Sequence, residues 1–170
     1  TMDHKESPQE LIKPIIGLFF SGQAQEALDA VETLINDFPN EPLLFNFCGV
    51  FYKEIGQLDE AIKRFEKALA INPDYAEAHN NLGVTLQNLG LMDEAVTSYE
   101  KAIASNPSYA EAHNNLGVTL QNLGLMDKAV TSYEKAIDSN SDYAEAHNNL
   151  GNALKDLGQP DAAVKCYEKA

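Results

Sequence analysis

The sequence predicts an all-α fold of tandem helix–turn–helix repeats. Three observations carry this: a 34-residue self-similarity, a glycine at one fixed place in every copy, and apolar spacing of helical period within each copy. Residues 76–109 (AEAHNNLGVTLQNLGLMDEAVTSYEKAIASNPSY) recur at 110–143 with four changes: Glu94 to Lys128, Ala104 to Asp138, Pro107 to Ser141 and Ser108 to Asp142. Thirty of 34 positions match, which points to duplication. The frame runs back through 42–75 and 8–41 and forward into a shorter copy at 144–170. Residues 1–7 are expected outside this array as an unstructured N-terminus, with Thr1 before Met2 reading as an expression remnant.

Within each copy the elements follow in order. Ala78, Leu82, Leu86 and Leu89 recur at helical spacing and mark a first helix, A. The glycine column (Gly22, Gly56, Gly90, Gly124, Gly158) suits a left-handed residue that ends helix A, a conformation in which a Cβ is strained. Asp93 opens a second helix, B, where its charge meets the positive end of the helix dipole. Ala95, Val96, Tyr99, Ala102 and Ile103 form the apolar stripe of B. Pro107 closes the copy. Asp74…Glu77, Ser108…Glu111 and Asp142…Glu145 are expected to act as capping boxes for the next helix A. In the first copy Pro14 is expected to shorten or kink its helix. One such hairpin cannot bury its own apolar face, so the copies must stack as a solenoid.

Composition narrows the function. Apolar residues make up 44% and charged residues 22%, a balance that suits a folded chain. The net charge of −14 disfavours nucleic acid and anionic membrane surfaces, which need clustered Lys and Arg. No apolar run approaches the roughly 20 residues of a membrane span. Cys48 and Cys166 form no disulfide or zinc pattern, and a reducing cytoplasm is the expected setting.

No cofactor, metal site or catalytic residue is expected. His79, His113 and His147 recur one per copy, so packed helices would hold them roughly 8–10 Å apart. That is too far for shared coordination at roughly 2 Å per nitrogen, and each imidazole is read as packing between repeats. Cys48 falls where a buried leucine is wanted. Tyr75, Tyr109 and Tyr143 are expected between repeats, and the pairs Glu66-Lys67, Glu100-Lys101 and Glu134-Lys135 on the solvated outer surface. No phosphate loop or nucleophile elbow is present.

The spacing His79-x2-Leu82-Gly83-x2-Leu86…Ala95-x3-Tyr99…Pro107 resembles the pattern of the tetratricopeptide repeat family, over about residues 8–170. Histidine stands in place of the usual aromatic at position 4 in three copies, Ser141 in place of the proline, and Pro14-Ile15 in place of Leu-Gly. The resemblance implies a right-handed superhelix whose concave groove, lined by helix A, binds peptides. That makes the chain a scaffold for protein interaction, or alternatively the recognition arm of a larger glycosyltransferase- or sulfotransferase-like enzyme, or a self-assembling module.

Positions 2, 5, 6, 9, 12 and 13 of helix A project opposite the apolar stripe. The candidate peptide-binding residues there are Asn80, Asn81, Val84, Gln87, Asn114, Asn115, Val118, Gln121, Asn148, Asn149, Asn152 and Lys155. Asn81, Asn115 and Asn149 match the position of the asparagine ladder in the repeat domain of O-linked N-acetylglucosamine transferase. Asparagine is a poor helix former, so exchanging these three for Ala is expected to leave folding intact or raise stability while weakening partner binding. Because Glu77, Glu111 and Glu145 share the face, the preferred partner is a neutral or basic segment, and a Lys/Arg clamp for a C-terminal carboxylate is not expected. In the last copy Ala163, Val164 and Tyr167 are expected to be exposed and to favour self-association.

Overall fold

The computed structural model describes residues 5–170, so the expectation for residues 1–4 lies outside the described chain. Ten helices follow one another in five pairs, with no strand among the described residues. They are α1 (Pro8–Phe20), α2 (Ala24–Asp37), α3 (Pro42–Glu54), α4 (Leu58–Ile71), α5 (Ala76–Asn88), α6 (Met92–Ser105), α7 (Ala110–Asn122), α8 (Met126–Ser139), α9 (Ala144–Asp156) and α10 (Pro160–Lys169). None of them is long and apolar enough to cross a membrane.

The turn inside each pair is built as the glycine column predicts. Gly22, Gly56, Gly90, Gly124 and Gly158 have φ between 77° and 88°. At Gly124 the backbone closes with Gly124 N–H donating to the Gln121 carbonyl at 3.0 Å and Leu125 N–H to the Leu120 carbonyl at 2.9 Å. These bonds satisfy carbonyls that the helix end would otherwise leave without partners.

Three local expectations are corrected. The caps of α7 and α9 are Tyr109 and Tyr143, with no side-chain capping bond. Ser108 and Asp142 lie one residue too early to reach the first turn. Instead Asn106 and Asn140 organise the approach, accepting from Ser108 Oγ at 3.1 Å and from Asp142 N–H at 3.2 Å. Pro14 does not shorten α1, which has the same 13 residues as the other A helices. Both Glu10 and Pro14 are exposed, so water can take over the carbonyl that loses its helical donor. Leu89 lies past the end of α5, in the turn, and is 41% exposed rather than part of the buried stripe.

By packing, the chain divides into an N-terminal unit, through Thr85, and a C-terminal unit, Leu86–Ala170. The N-terminal core is made of bulky side chains: Ile12, Val31, Leu44, Phe45, Cys48 and Phe51 are buried together. Phe19 stacks on Phe51 with ring centroids 4.5 Å apart. In the C-terminal unit the buried cluster is smaller, Leu120, Ala129, Tyr133, Leu150 and Ala153. Close approach is common to both units: a Cβ on Gly49 in the N-terminal unit would sit 2.6 Å from the ring of Phe65. A Cβ on Gly117 would sit 2.5 Å from the ring of Tyr133, and one on Gly151 would sit 2.6 Å from the ring of Tyr167. Helices A and B thus meet through an aromatic ring laid on bare backbone. In α10, Ala163 is buried and Tyr167 half-buried against Gly151, so the expected exposed patch reduces to Val164, 53% exposed.

Candidate functional site

The face opposite the apolar stripe is carried by helix A of each pair, and its candidate residues divide by depth. Asn80 and Asn114 are 1% and 0% exposed, so these two lie in the interior rather than on an open face. Asn81, Val84 and Gln87 on α5, with Asn115, Val118 and Gln121 on α7, are half-buried. On α9, Asn149 is half-buried, while Asn148, Asn152 and Lys155 are exposed. The carboxylates of Glu77, Glu111 and Glu145 stand exposed beside them, and their charge keeps the face acidic.

The asparagines are tied between repeats. In the N-terminal unit Asn81 Nδ2 donates to Asn46 Oδ1 at 3.1 Å, and in the C-terminal unit Asn149 Nδ2 donates to Asn114 Oδ1, also at 3.1 Å. The acceptors are themselves buried, Asn46 at 5% and Asn114 at 0% exposed. Removing the donor would leave a buried carbonyl oxygen short of a partner, a cost of about 1–3 kcal/mol that exceeds any gain in helix propensity. Exchange to Ala should therefore cost stability rather than leave it intact or raise it. Single-copy helix propensity could not show this, because the partner sits one repeat back.

Tyrosines complete the joints. Tyr75 and Tyr143, which precede helix A, lie near the same buried asparagines, Asn46 and Asn114, and Asn114 Nδ2 is left without a hydrogen-bond partner among the described residues. Burial, with the nearby charge of Glu77, pushes the Tyr75 hydroxyl up to about 12. A second set of tyrosines lies on helix B. Tyr99 Oη donates to Gln87 Oε1 at 2.7 Å, Tyr133 Oη to Gln121 Oε1 at 2.8 Å, and Tyr167 Oη to Asn152 Oδ1 at 2.7 Å. Thr119 Oγ1 adds a second bond to Gln87 Oε1 at 3.1 Å. Burial and then the charge of Glu145 raise Tyr133 to about 12.

The histidines prove to be turn clamps. His79, His113 and His147 are 7%, 5% and 5% exposed, and each Nε2 donates to the carbonyl of residue 73, 107 or 141 at 2.7, 2.9 and 2.8 Å. A carbonyl only accepts, so each ring carries its proton on Nε2. Among the described residues no group of His, Cys, Asp and Glu is assembled that could hold a metal. Both cysteines are free, and burial with the charge of Glu32 drives the Cys48 thiol far above its ordinary value.

One polar cluster was not anticipated. Glu32 on α2 grips Arg64 on α4 through both oxygens, at 2.8 and 3.1 Å. The same carboxylate accepts from Tyr52 Oη and Cys48 Sγ on α3, both at 3.4 Å. Its sequence signal was available: Arg64 is the single arginine of the chain.

Comparison with known proteins places this architecture. The profile of the TPR repeat family matches residues 49–90, 92–124 and 126–158, and a tetratricopeptide repeat profile matches 76–106. No match is found among curated proteins. Among solved structures, one of MamA is 28% identical, with TM-score 0.82 over 91% of each chain. A second of MamA protein is 27% identical, with TM-score 0.78 over 95% of this chain and 90% of that one. MamA 41-end from Desulfovibrio magneticus RS-1, 21% identical, shares the fold with TM-score 0.80 over 92% of this chain and 88% of that one. With its family matches spanning most of the sequence, the chain belongs to the tetratricopeptide repeat family, a repeat scaffold for protein interaction.

Proposed function

We propose that the chain binds an extended segment of a partner protein along the exposed side of its A helices, without performing chemistry on it. In the C-terminal unit the face comprises Asn115, Val118, Gln121, Asn149, Asn152 and Lys155. In the N-terminal unit Asn81 and Val84 are the equivalents. The observation that supports this most is that the amides are held in place by bonds behind them, Asn149 by Asn114 and Gln121 by Tyr133. Side chains already fixed lose little rotamer freedom when a ligand arrives, which favours binding. Val118 offers an apolar contact between them, and Glu111 and Glu145 favour a neutral or basic segment.

A peptide library displayed on phage tests this, selected on the whole chain at moderate salt. Enriched peptides should be neutral or basic, weaken as salt rises, and lose binding to Val118→Glu. They should keep binding to Lys101→Glu on the outer surface of α6. Peptides that ignore Val118→Glu but respond to Lys101→Glu would sink the proposal.

A further inference from the structure

The tyrosine bonds of the C-terminal unit fix the chemical polarity of this face. A carboxamide offers an oxygen acceptor on one side and two N–H donors on the other. Tyr133 is 1% exposed, and its hydroxyl proton needs an acceptor. Gln121 Oε1 supplies it at 2.8 Å. The reverse orientation would aim the –NH2 at the phenol and leave the phenolic proton with no acceptor. Gln87 is held the same way by Tyr99 and Thr119, and Asn152 by Tyr167. In each case the oxygen is spent inward, and the amide nitrogen makes no bond to a described residue. These three positions therefore offer N–H donors to a ligand, with the Gln87 oxygen fully engaged and the Gln121 and Asn152 oxygens turned toward their tyrosines.

We infer that this face reads the carbonyl oxygens of the bound segment and does not need its N–H groups, so that its preferred partner is proline-rich. This rests on the helix-A face being the binding face. Proline lacks the N–H that a row of donors does not use, and keeps the carbonyl that it does. A polyproline II strand leaves every carbonyl free of internal bonds and repeats after three residues, roughly 9 Å. Successive packed helices stand roughly 8–10 Å apart, so every third carbonyl can meet the glutamine of the next A helix. Gln87 and Gln121 occupy the same position in adjacent copies, 34 residues apart. Asn149 does use its nitrogen inward and so keeps an oxygen. It lies six residues before Lys155, the position equivalent to Gln121, about 120° round the helix from that row.

The test uses two dye-labelled peptides of equal length and charge, one polyproline with terminal lysines and one glycine-serine with the same lysines, titrated into the whole chain by fluorescence anisotropy. The polyproline probe should bind about tenfold more tightly. Gln121→Glu keeps an acceptor for Tyr133 but replaces the outward –NH2 by oxygen. It should weaken the polyproline probe several-fold although its added charge attracts the lysines. The combined change Gln121→Leu with Tyr133→Phe, checked for native helicity, should weaken it similarly. Equal affinity for both probes overturns the inference, as does no binding of either, or polyproline affinity unmoved by both variants. If the glycine-serine probe alone binds, and Val118→Glu abolishes that binding, the helix-A reading stands and the proline inference falls.

Discussion

The two units hold the same kind of hairpin together by different means. In the N-terminal unit, bulky apolar side chains fill the space between helices, and one ion pair with its tyrosine and cysteine joins three of them. Both units lay an aromatic ring on a glycine, Gly49 under Phe65 and Gly117 under Tyr133, and both bridge asparagines of neighbouring repeats; what the C-terminal unit adds, where the copies are nearly identical, is a repeated bond from a helix-B tyrosine hydroxyl to a helix-A carboxamide. A duplicated repeat must carry a joint compatible with a copy of itself. Each amide must serve as donor in one copy and meet its acceptor in the copy before. A repeat that has diverged can add bulk and a pair that occurs once to the same bridge.

The contrast breaks first at volume. Phe51→Ala empties a 1% exposed site stacked on Phe19 and should cost about 3–5 kcal/mol in urea unfolding. A loss below about 1 kcal/mol would mean the bulky core is not what holds the N-terminal unit. Overfilling should come next, and it is tested in the C-terminal unit. Gly117→Ala drives a methyl to 2.5 Å from Tyr133 and should cost about 1–3 kcal/mol, partly recovered by adding Tyr133→Leu. Absence of recovery would put the strain somewhere other than the ring.

The smallest effect sharpens the polar half of the comparison. Burial, with the charge of Glu145, pushes the Tyr133 hydroxyl up to about 12 in the fold, above the ordinary value of about 10. The folded state therefore favours the protonated phenol. Its contribution is full below about pH 10 and is lost as pH rises through about 12. Tyr133→Phe should cost about 0.5–1.5 kcal/mol at neutral pH, through the bond lost to Gln121. It should also flatten the alkaline fall of the melting temperature. An alkaline limb as steep in the variant as in the parent would show that other tyrosines, Tyr75 among them, dominate it.

Periodicity made the helices, the glycine turns and the buried Cys48 legible, because each follows from the residue and its neighbours in one copy. The joints were not legible in the same way. Asn149 and its acceptor Asn114 are 35 residues apart, so the bond exists only once two copies are stacked in register. The capping boxes misled because the motif S/D-x-x-E was present while the true cap fell one residue later, on Tyr109 and Tyr143. The Glu32–Arg64 pair occurs once and has no period, so no recurrence in the sequence marks it.

The histidine clamp has a consequence for how such an array can change. His147 holds the carbonyl of Ser141 at 2.8 Å just as His79 holds that of Pro73 at 2.7 Å. The contact is with the main chain, so it is blind to the side chain it passes. A proline can drift to serine in one copy, as at residue 141, while the turn keeps its anchor. That one position of the linker is thereby freed from needing proline, and copies can grow unlike one another there without coming apart.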